Sequence, residues 1–411
     1  MKVLWVTSAY PSDKQPGNGV FHETQVQELK KQGIEVTVIC PVPYHSPILR
    51  LLKKRYQLTP KFSVYERNGI TVYSPQYTAY PGQLRWSQPD QRIAKAVLNA
   101  IKENNLTFDL LHAHFAMPSG GACRRVAKEI KKPWVLTLHG SDVHIYPSFS
   151  KGAEKIFCKT VLSADKVIAV GKNLADKVKD KTGRDSIVLP IGIDLSRFSH
   201  PLISKRHVKK QLNLPEDKKI IIFVGRLVKE KGIYELAESL AYLPKDTVVF
   251  FIGDGPEGEG LKQHPMYNKQ LFLLGQMENE RIVDYMYASD IFALPSYSEG
   301  MPTVIIEAIS LKIPVVCTRV GGVPDLFGKY KDELIEPKSV KSLAVRLNEY
   351  LTKQEVASTL CEELYEHVQK HYGAKKNAEQ LIDHYISLVS PGEKETRGLE
   401  EQSIITRSAM L

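Results

Sequence analysis

The residues best suited to chemistry lie in the stretch Ser296-Tyr297-Ser298-Glu299-Gly300-Met301-Pro302-Thr303 and in Glu307, eight positions after Glu299. The stretch follows the apolar run 291–294 and precedes the apolar, helix-like run 304–311. Strand, glycine-containing loop and helix N-terminus therefore follow one another. Free backbone N–H groups and the positive end of a helix dipole make an anion site there, to which the Thr303 hydroxyl can add. A loop carboxylate at Glu299 and a helical one at Glu307 would flank this cradle and suit hydrogen bonds to hydroxyls on either side of a diphosphate. Taken singly, Glu299 reads equally well as a helix cap and Glu307 as a solvated helix residue.

A second group strengthens the first. The apolar run 220–224 leads into Gly225-Arg226-Leu227-Val228-Lys229-Glu230-Lys231-Gly232, which sets Arg226 and Lys231 between a strand end and a helix start. Two cations there can neutralise a diphosphate, the arginine binding two oxygens at once. A departing nucleoside diphosphate needs that stabilisation. A further candidate is His139, followed by Gly140, Ser141 and Asp142. A lone strand-end histidine is structural as often as it is functional. His112 and His114, two apart on a strand, share a face and could bind a metal. No third ligand has suitable spacing, and no two aspartates are separated by a single residue, so metal independence is expected. The histidines then line a cleft or satisfy hydrogen bonds at a strand end.

The elements that must position these residues are legible in outline. Apolar runs at 2–7, 35–40, 110–114, 134–139, 166–170 and 187–190 alternate with amphipathic segments, which predicts a parallel sheet covered by helices. Residues 20–31 have helical composition and stop near Gly33, leaving a loop with Gly17, Asn18 and Gly19 between the first strand and the first helix. Around residues 192–201 the rhythm breaks, and it resumes with runs at 220–224, 247–252, 271–274, 291–294 and 314–318. The fold class is thus α/β, with a hinge near residue 195 and two open sheets. Residues 375–389 form a last helix, and the polar stretch 391–411 is expected to be disordered. Ligands of such sheets bind at the carboxyl ends of the strands.

Composition narrows the partners. The 411 residues are 43% hydrophobic and 25% charged, enough for two cores. No apolar run approaches the roughly 20 residues of a membrane span. The five cysteines are scattered without a CxxC pair, which points to a reducing cytoplasm. A formal charge of +10 favours an anionic partner. Nucleic acid is excluded as that partner by the lack of zinc-finger, RNA-binding or long basic signatures. Arg50, Lys53, Lys54 and Arg55 beside Ile48, Leu49, Leu51 and Leu52 would form a basic amphipathic helix. It is either the charged rim of a packed helix or a surface that rests on an anionic membrane.

Together the Gly17-Asn18-Gly19 loop, the His139-Gly140-Ser141-Asp142 motif, the Arg226 and Lys231 pair, the Glu299 to Glu307 motif and Gly321-Gly322-Val323-Pro324-Asp325 resemble, in order, the retaining glycosyltransferases of family 4. The likeness spans nearly the whole chain to about residue 389, and its opening segment Gly17-Asn18-Gly19-Val20-Phe21-His22-Glu23-Thr24 is most similar to transferases of teichuronic acid and other bacterial surface polysaccharides. The resemblance implies the GT-B architecture: two Rossmann-like, doubly wound parallel-sheet domains facing across a cleft. Residues 1–195 would bind the acceptor and residues 196–372 the donor, with a helix at 373–390 crossing back onto the first domain. It implies that Arg226 and Lys231 hold the donor diphosphate and that Glu307 holds the ribose. Glu299 and the backbone of Gly300, Met301, Pro302 and Thr303 would face the transferred sugar and phosphates. His139 would line the reaction centre; Gly17, Asn18, Gly19 and Asp142 would lie on the acceptor side, with Gly19 also against the donor phosphates. Asp325 departs from the family's usual glutamate.

The implied reaction moves a sugar, with retention, from a nucleoside diphosphate sugar to a hydroxyl of a glycan or lipid-linked glycan. UDP-sugars are favoured over GDP-sugars, and no cofactor is required. The enzyme would be cytoplasmic, or peripheral on the inner face of the cell membrane. Two other readings share the architecture: a sugar-nucleotide epimerase, marked by turnover without an acceptor, and a non-catalytic nucleotide-sugar-binding subunit, marked by tight binding without release of free diphosphate.

Overall fold

The computed structural model describes residues 1–44, 63–80, 88–198 and 203–389. The basic stretch around Arg50–Arg55 and the tail after residue 390 lie outside the described residues. The chain divides into two compact units. One comprises Met1–Ala169, Ala175–Leu189 and the chain from Lys375; the other comprises Val170–Leu174 and Pro190–Ala374.

In the first unit the strands run, in chain order, β1 (Lys2–Val6), β2 (Glu35–Ile39), β3 (Val42–Tyr44), β4 (Ser63–Arg67) and β5 (Ile70–Ser74). They continue with β6 (Gln76–Thr78), β7 (Leu110–His114), β8 (Trp134–Leu138), β9 (Lys166–Ala169) and β10 (Ile187–Val188). An eight-stranded sheet has the order β10-β9-β8-β7-β1-β2-β5-β4, and β3 pairs with β6 in a small separate sheet. Every described pairing of the large sheet is parallel except that of β4 with β5, an antiparallel hairpin at one edge. That hairpin is not among the strands expected from sequence. Its signal is Asn68-Gly69, both at positive φ (+50° and +69°), the two-residue turn whose twist matches the flanking strands.

The second unit holds β11 (Lys219–Val224), β12 (Thr247–Ile252), β13 (Leu271–Gly275), β14 (Ile291–Leu294) and β15 (Val315–Cys317). They form an all-parallel five-stranded sheet ordered β13-β12-β11-β14-β15. Continuous apolar runs such as Thr247–Ile252, buried at every position, are what a strand covered on both faces requires.

Each sheet reverses its winding at one place: between β1 and β7 in the first, and between β11 and β14 in the second. At such a reversal the loops on either side lead away in opposite directions, and a crevice opens at the carboxyl ends of the strands.

The last helix, Ala374–Val389, belongs to the first core. Ala378, Leu381 and Tyr385 are buried in one cluster with Val3, Trp5, Leu110 and Val135. The Tyr385 hydroxyl lies 2.5 Å from His112 Nδ1, and Lys166 Nζ donates to Ser387 Oγ at 2.6 Å. Since His112 is wholly buried, Tyr385→Phe strands a ring nitrogen. The variant is expected to lose about 1–3 kcal/mol of stability in urea denaturation; unchanged stability would show that the hydroxyl does not anchor this helix.

Candidate active site

The loops at and beside the two reversals, with the strand ends and helices they join, carry the residues singled out from the sequence. In the second unit Arg226 follows β11, and Ser296 to Thr303 follow its neighbour β14. Lys231 closes the short turn Lys229–Lys231. Its Nζ lies 2.6 Å from Glu299 Oε1, the two side chains being 28% and 8% exposed. Removing one partner of so enclosed a pair strands the other charge, at a cost of about 3–5 kcal/mol. Arg226, by contrast, is exposed and has no ion pair among the described residues.

Backbone contacts fix these loops against one another. Tyr297 N–H donates to Glu230 O at 2.7 Å, which ties the β14 loop to the turn that carries Lys231. Gly322 N–H donates to Gly300 O at 2.8 Å. Gly321 sits at φ +54°, and a Cβ there would lie 1.7 Å from Glu299 O, so only glycine lets the loop after β15 approach this closely. Met301 and Pro302 are buried, while Glu299, Gly300 and Thr303 are half-buried. Asp325 accepts from Lys172 N–H at 2.6 Å.

The helix Thr303–Ser310 opens at Pro302 without a side-chain cap. Glu299 is therefore not its cap, and with Ile305 N–H donating to Pro302 O at 3.1 Å, the N–H groups of Thr303 and Val304 remain for a ligand's oxygens. Glu307 lies one turn into this helix. Burial pushes its carboxyl up to about 7, against the opposing hydrogen bond from Thr303 and the charge of Arg197.

In the first unit the ends of β1, β7 and β8 meet the start of the helix Val20–Lys31. Gly17 and Asn18 are exposed, and Gly19 is the residue before that helix. His114 Nδ1 and His139 Nε2 are 3.0 Å apart, and His22 Nε2 is 2.9 Å from Thr7 Oγ1. Trp5 stacks on His114 with centroids 3.9 Å apart. Desolvation lowers the basicity of all four histidines here, His139 to about 3, so these imidazoles are neutral.

His114 is grouped in space with histidines other than His112, the partner its linear spacing suggests. Ring nitrogens of His22, His114 and His139 lie within 4.8 Å of one another. Linear spacing could not show this, because adjacent strands and the helix after β1 bring the three together. His112 instead bonds Tyr385 and, at 2.8 Å, Thr137 Oγ1, a satisfied core histidine.

Asp142 is wholly buried, and its carboxylate accepts from Ala116 N–H at 2.8 Å, His139 N–H at 3.1 Å and Gly140 N–H at 2.8 Å. It ties the loops after β7 and β8 to one another. One of those loops holds a residue that sequence reasoning missed. Phe115, directly after β7, has φ +68° and ψ +124°, a conformation that costs a bulky side chain about 1–3 kcal/mol. Its ring centroid lies 4.4 Å from that of His139.

The sequence profile of Glycosyltransferase Family 4 matches residues 19–197, and that of Glycosyl transferases group 1 matches residues 204–371. Over 386 residues the chain is 51% identical to TuaC of Bacillus subtilis, a glycosyltransferase named for teichuronic acid biosynthesis, covering 94% of this chain and 98% of that one. The chain belongs to glycosyltransferase family 4. This glycosyltransferase is also 24% identical to the N-acetyl-alpha-D-glucosaminyl L-malate synthase of Bacillus anthracis, over 95% of its length and 98% of the relative's. Among solved structures it is similar to sucrose-phosphate synthase of Thermosynechococcus elongatus, with TM-score 0.78 and 20% identity over 95% of this chain and 100% of that one. The Anabaena protein HepE, solved with UDP-glucose, gives TM-score 0.71 and 19% identity over 94% and 100%. These neighbours establish the GT-B fold for the family 4 enzyme.

The raised Glu307 carboxyl has a consequence for stability. Folding favours the protonated form, so its contribution is full below the unfolded carboxyl's pKa and is lost as pH rises through about 7. Glu307→Gln, neutral throughout, should gain melting temperature relative to wild type between about pH 5 and pH 8. A gap that stays constant over that range would contradict the assignment.

Proposed function

We propose that this glycosyltransferase moves a sugar from a UDP-sugar to a hydroxyl of a glycan or lipid-linked glycan, with retention at the anomeric carbon, during assembly of a surface polysaccharide of the teichuronic acid type. The observation that carries the reading is the 51% identity to TuaC along 94% of the chain, joined to a cationic, uncapped helix N-terminus at the second sheet's reversal. The preference for UDP draws support from the HepE complex with UDP-glucose.

In this reading the second unit binds the donor. Arg226 and Lys231 hold the diphosphate, Glu307 accepts from the ribose hydroxyls, and Glu299 with the backbone of Gly300 to Thr303 meets the sugar and phosphates. The first unit takes the acceptor through Gly17, Asn18 and Gly19. His139, neutral, offers the sugar a hydrogen-bonding ring rather than a charge. The bond from the anomeric carbon to the phosphate oxygen breaks while the acceptor oxygen bonds that carbon on the same face. The acceptor's proton passes to the departing phosphate, leaving UDP and the glycoside. Arg226 and Lys231 stabilise the charge as it develops. The reaction needs no metal and takes place in the cytoplasm or at the inner membrane face. Among the described residues no helix is long and apolar enough to cross a membrane.

In the free protein Lys231 is already neutralised by Glu299, so the incoming diphosphate must draw that ammonium away from its partner. Arg226→Ala should lower turnover by about 10²–10³ in a UDP-release assay, in buffer containing EDTA that leaves the wild-type rate unchanged. Glu299→Gln, which frees Lys231, should bind UDP severalfold more tightly while its turnover falls. Near-normal turnover in Arg226→Ala would remove the assignment of the diphosphate site, and a rate that EDTA abolishes would point instead to the three-histidine cluster as a metal centre.

A further inference from the structure

Phe115 is less buried than the residues directly beside it. Its neighbours Leu110–His114, Ala116 and Met117 are buried, but Phe115 itself is half-buried. At φ +68° and ψ +124° its backbone lies outside even the left-handed helical region that other residues visit. The peptide groups on both sides are pinned. Phe115 N–H donates to Thr137 O at 2.9 Å, Gly120 N–H donates to Phe115 O at 2.9 Å, and Ala116 N–H donates to Asp142 at 2.8 Å.

Asp142 also binds the amides of His139 and Gly140, so one buried carboxylate sets the loop after β7 against the loop after β8. The result is a fixed pair of rings, Phe115 and His139, tilted 39° with centroids 4.4 Å apart, and Phe21 stands 5.3 Å from the same imidazole. A glycine would relieve the strained backbone, and a smaller residue would expose less apolar surface. A strained conformation that the surroundings over-determine, carrying an aromatic ring partly open to solvent, marks a ligand contact rather than a packing need.

We propose that Phe115 is a specificity-determining residue whose ring stacks on the apolar C–H face of the pyranose held beside His139. The inference rests on the transferase reading and deepens it. A pyranose presents weakly positive C–H groups on its ring faces, and an aromatic face presents the negative side of its quadrupole. His139 can then hydrogen-bond a hydroxyl at the sugar's edge while Phe115 covers the adjacent face. Asp142 is a positioning residue, acting through the two loops it joins.

Three variants test this: Phe115→Gly, Phe115→Ala and Phe115→Tyr. Glycine ordinarily lowers stability relative to alanine; at this strained position Phe115→Gly should melt above Phe115→Ala. Release of UDP from UDP-glucose, UDP-N-acetylglucosamine and UDP-glucuronate is then compared. Both truncations should lower kcat/KM for the preferred sugar by about tenfold, with Phe115→Tyr rescuing it and with the melting shift produced by UDP alone unchanged. Truncated variants that keep the wild-type kcat/KM overturn the stacking, as does an alanine variant that melts above the glycine one. Wild-type protein that neither binds UDP nor releases it from any of these sugars overturns the UDP-sugar reading, and this proposal with it.

Discussion

A parallel sheet delivers every strand-to-helix loop to one edge, and where the winding reverses, neighbouring loops part and leave their backbone groups unshared. Both sheets of this chain are built around that constraint, between β1 and β7 in one unit and between β11 and β14 in the other. The residues with chemical promise, scattered along the sequence from Gly17 to Glu307, stand on the loops at or beside these reversals and on the strand ends and helix starts next to them. The hydrophobic strands do no chemistry themselves. They fix, to within a backbone hydrogen bond, where Arg226, Glu299 and His139 emerge.

The two sites solve their electrostatics differently. The second unit keeps full charges and balances them, with Lys231 and Glu299 in contact at 2.6 Å and Arg226 left exposed to meet an anion. The first unit is a cluster of neutral rings: Trp5, Phe21, Phe115 and four histidines whose charge burial suppresses. A cationic cradle suits a diphosphate, and a neutral aromatic wall suits a sugar.

Much of this was legible in the sequence. The strand runs 247–252 and 291–294, the helix at residues 20–31 and the loop–helix motif from Ser296 to Glu307 show themselves by periodicity and by glycine and proline placement. What stayed hidden depended on contacts between distant segments. The hairpin β4–β5 carried a readable Asn68-Gly69 turn, but its strands alternate apolar and polar residues and form no continuous apolar run. His22 and Phe115 look like ordinary helix and strand-end residues until the sheet order sets them beside His139. Asp142 reads as a polar loop residue, and only its three amide partners show it to be the clamp of two loops. Ion pairing between Lys231 and Glu299 is equally out of reach, since in the sequence each reads as a ligand contact and neither as a partner of the other.

The central claim is that the loops of the second sheet form a nucleoside diphosphate site. Isothermal titration of the purified protein with UDP, GDP and ADP tests it most directly. The account predicts saturable binding of UDP in preference to the other two, lost in Glu307→Ala because the ribose hydroxyls lose their acceptor. Heat signals absent for all three, or binding that Glu307→Ala leaves intact, would contradict it.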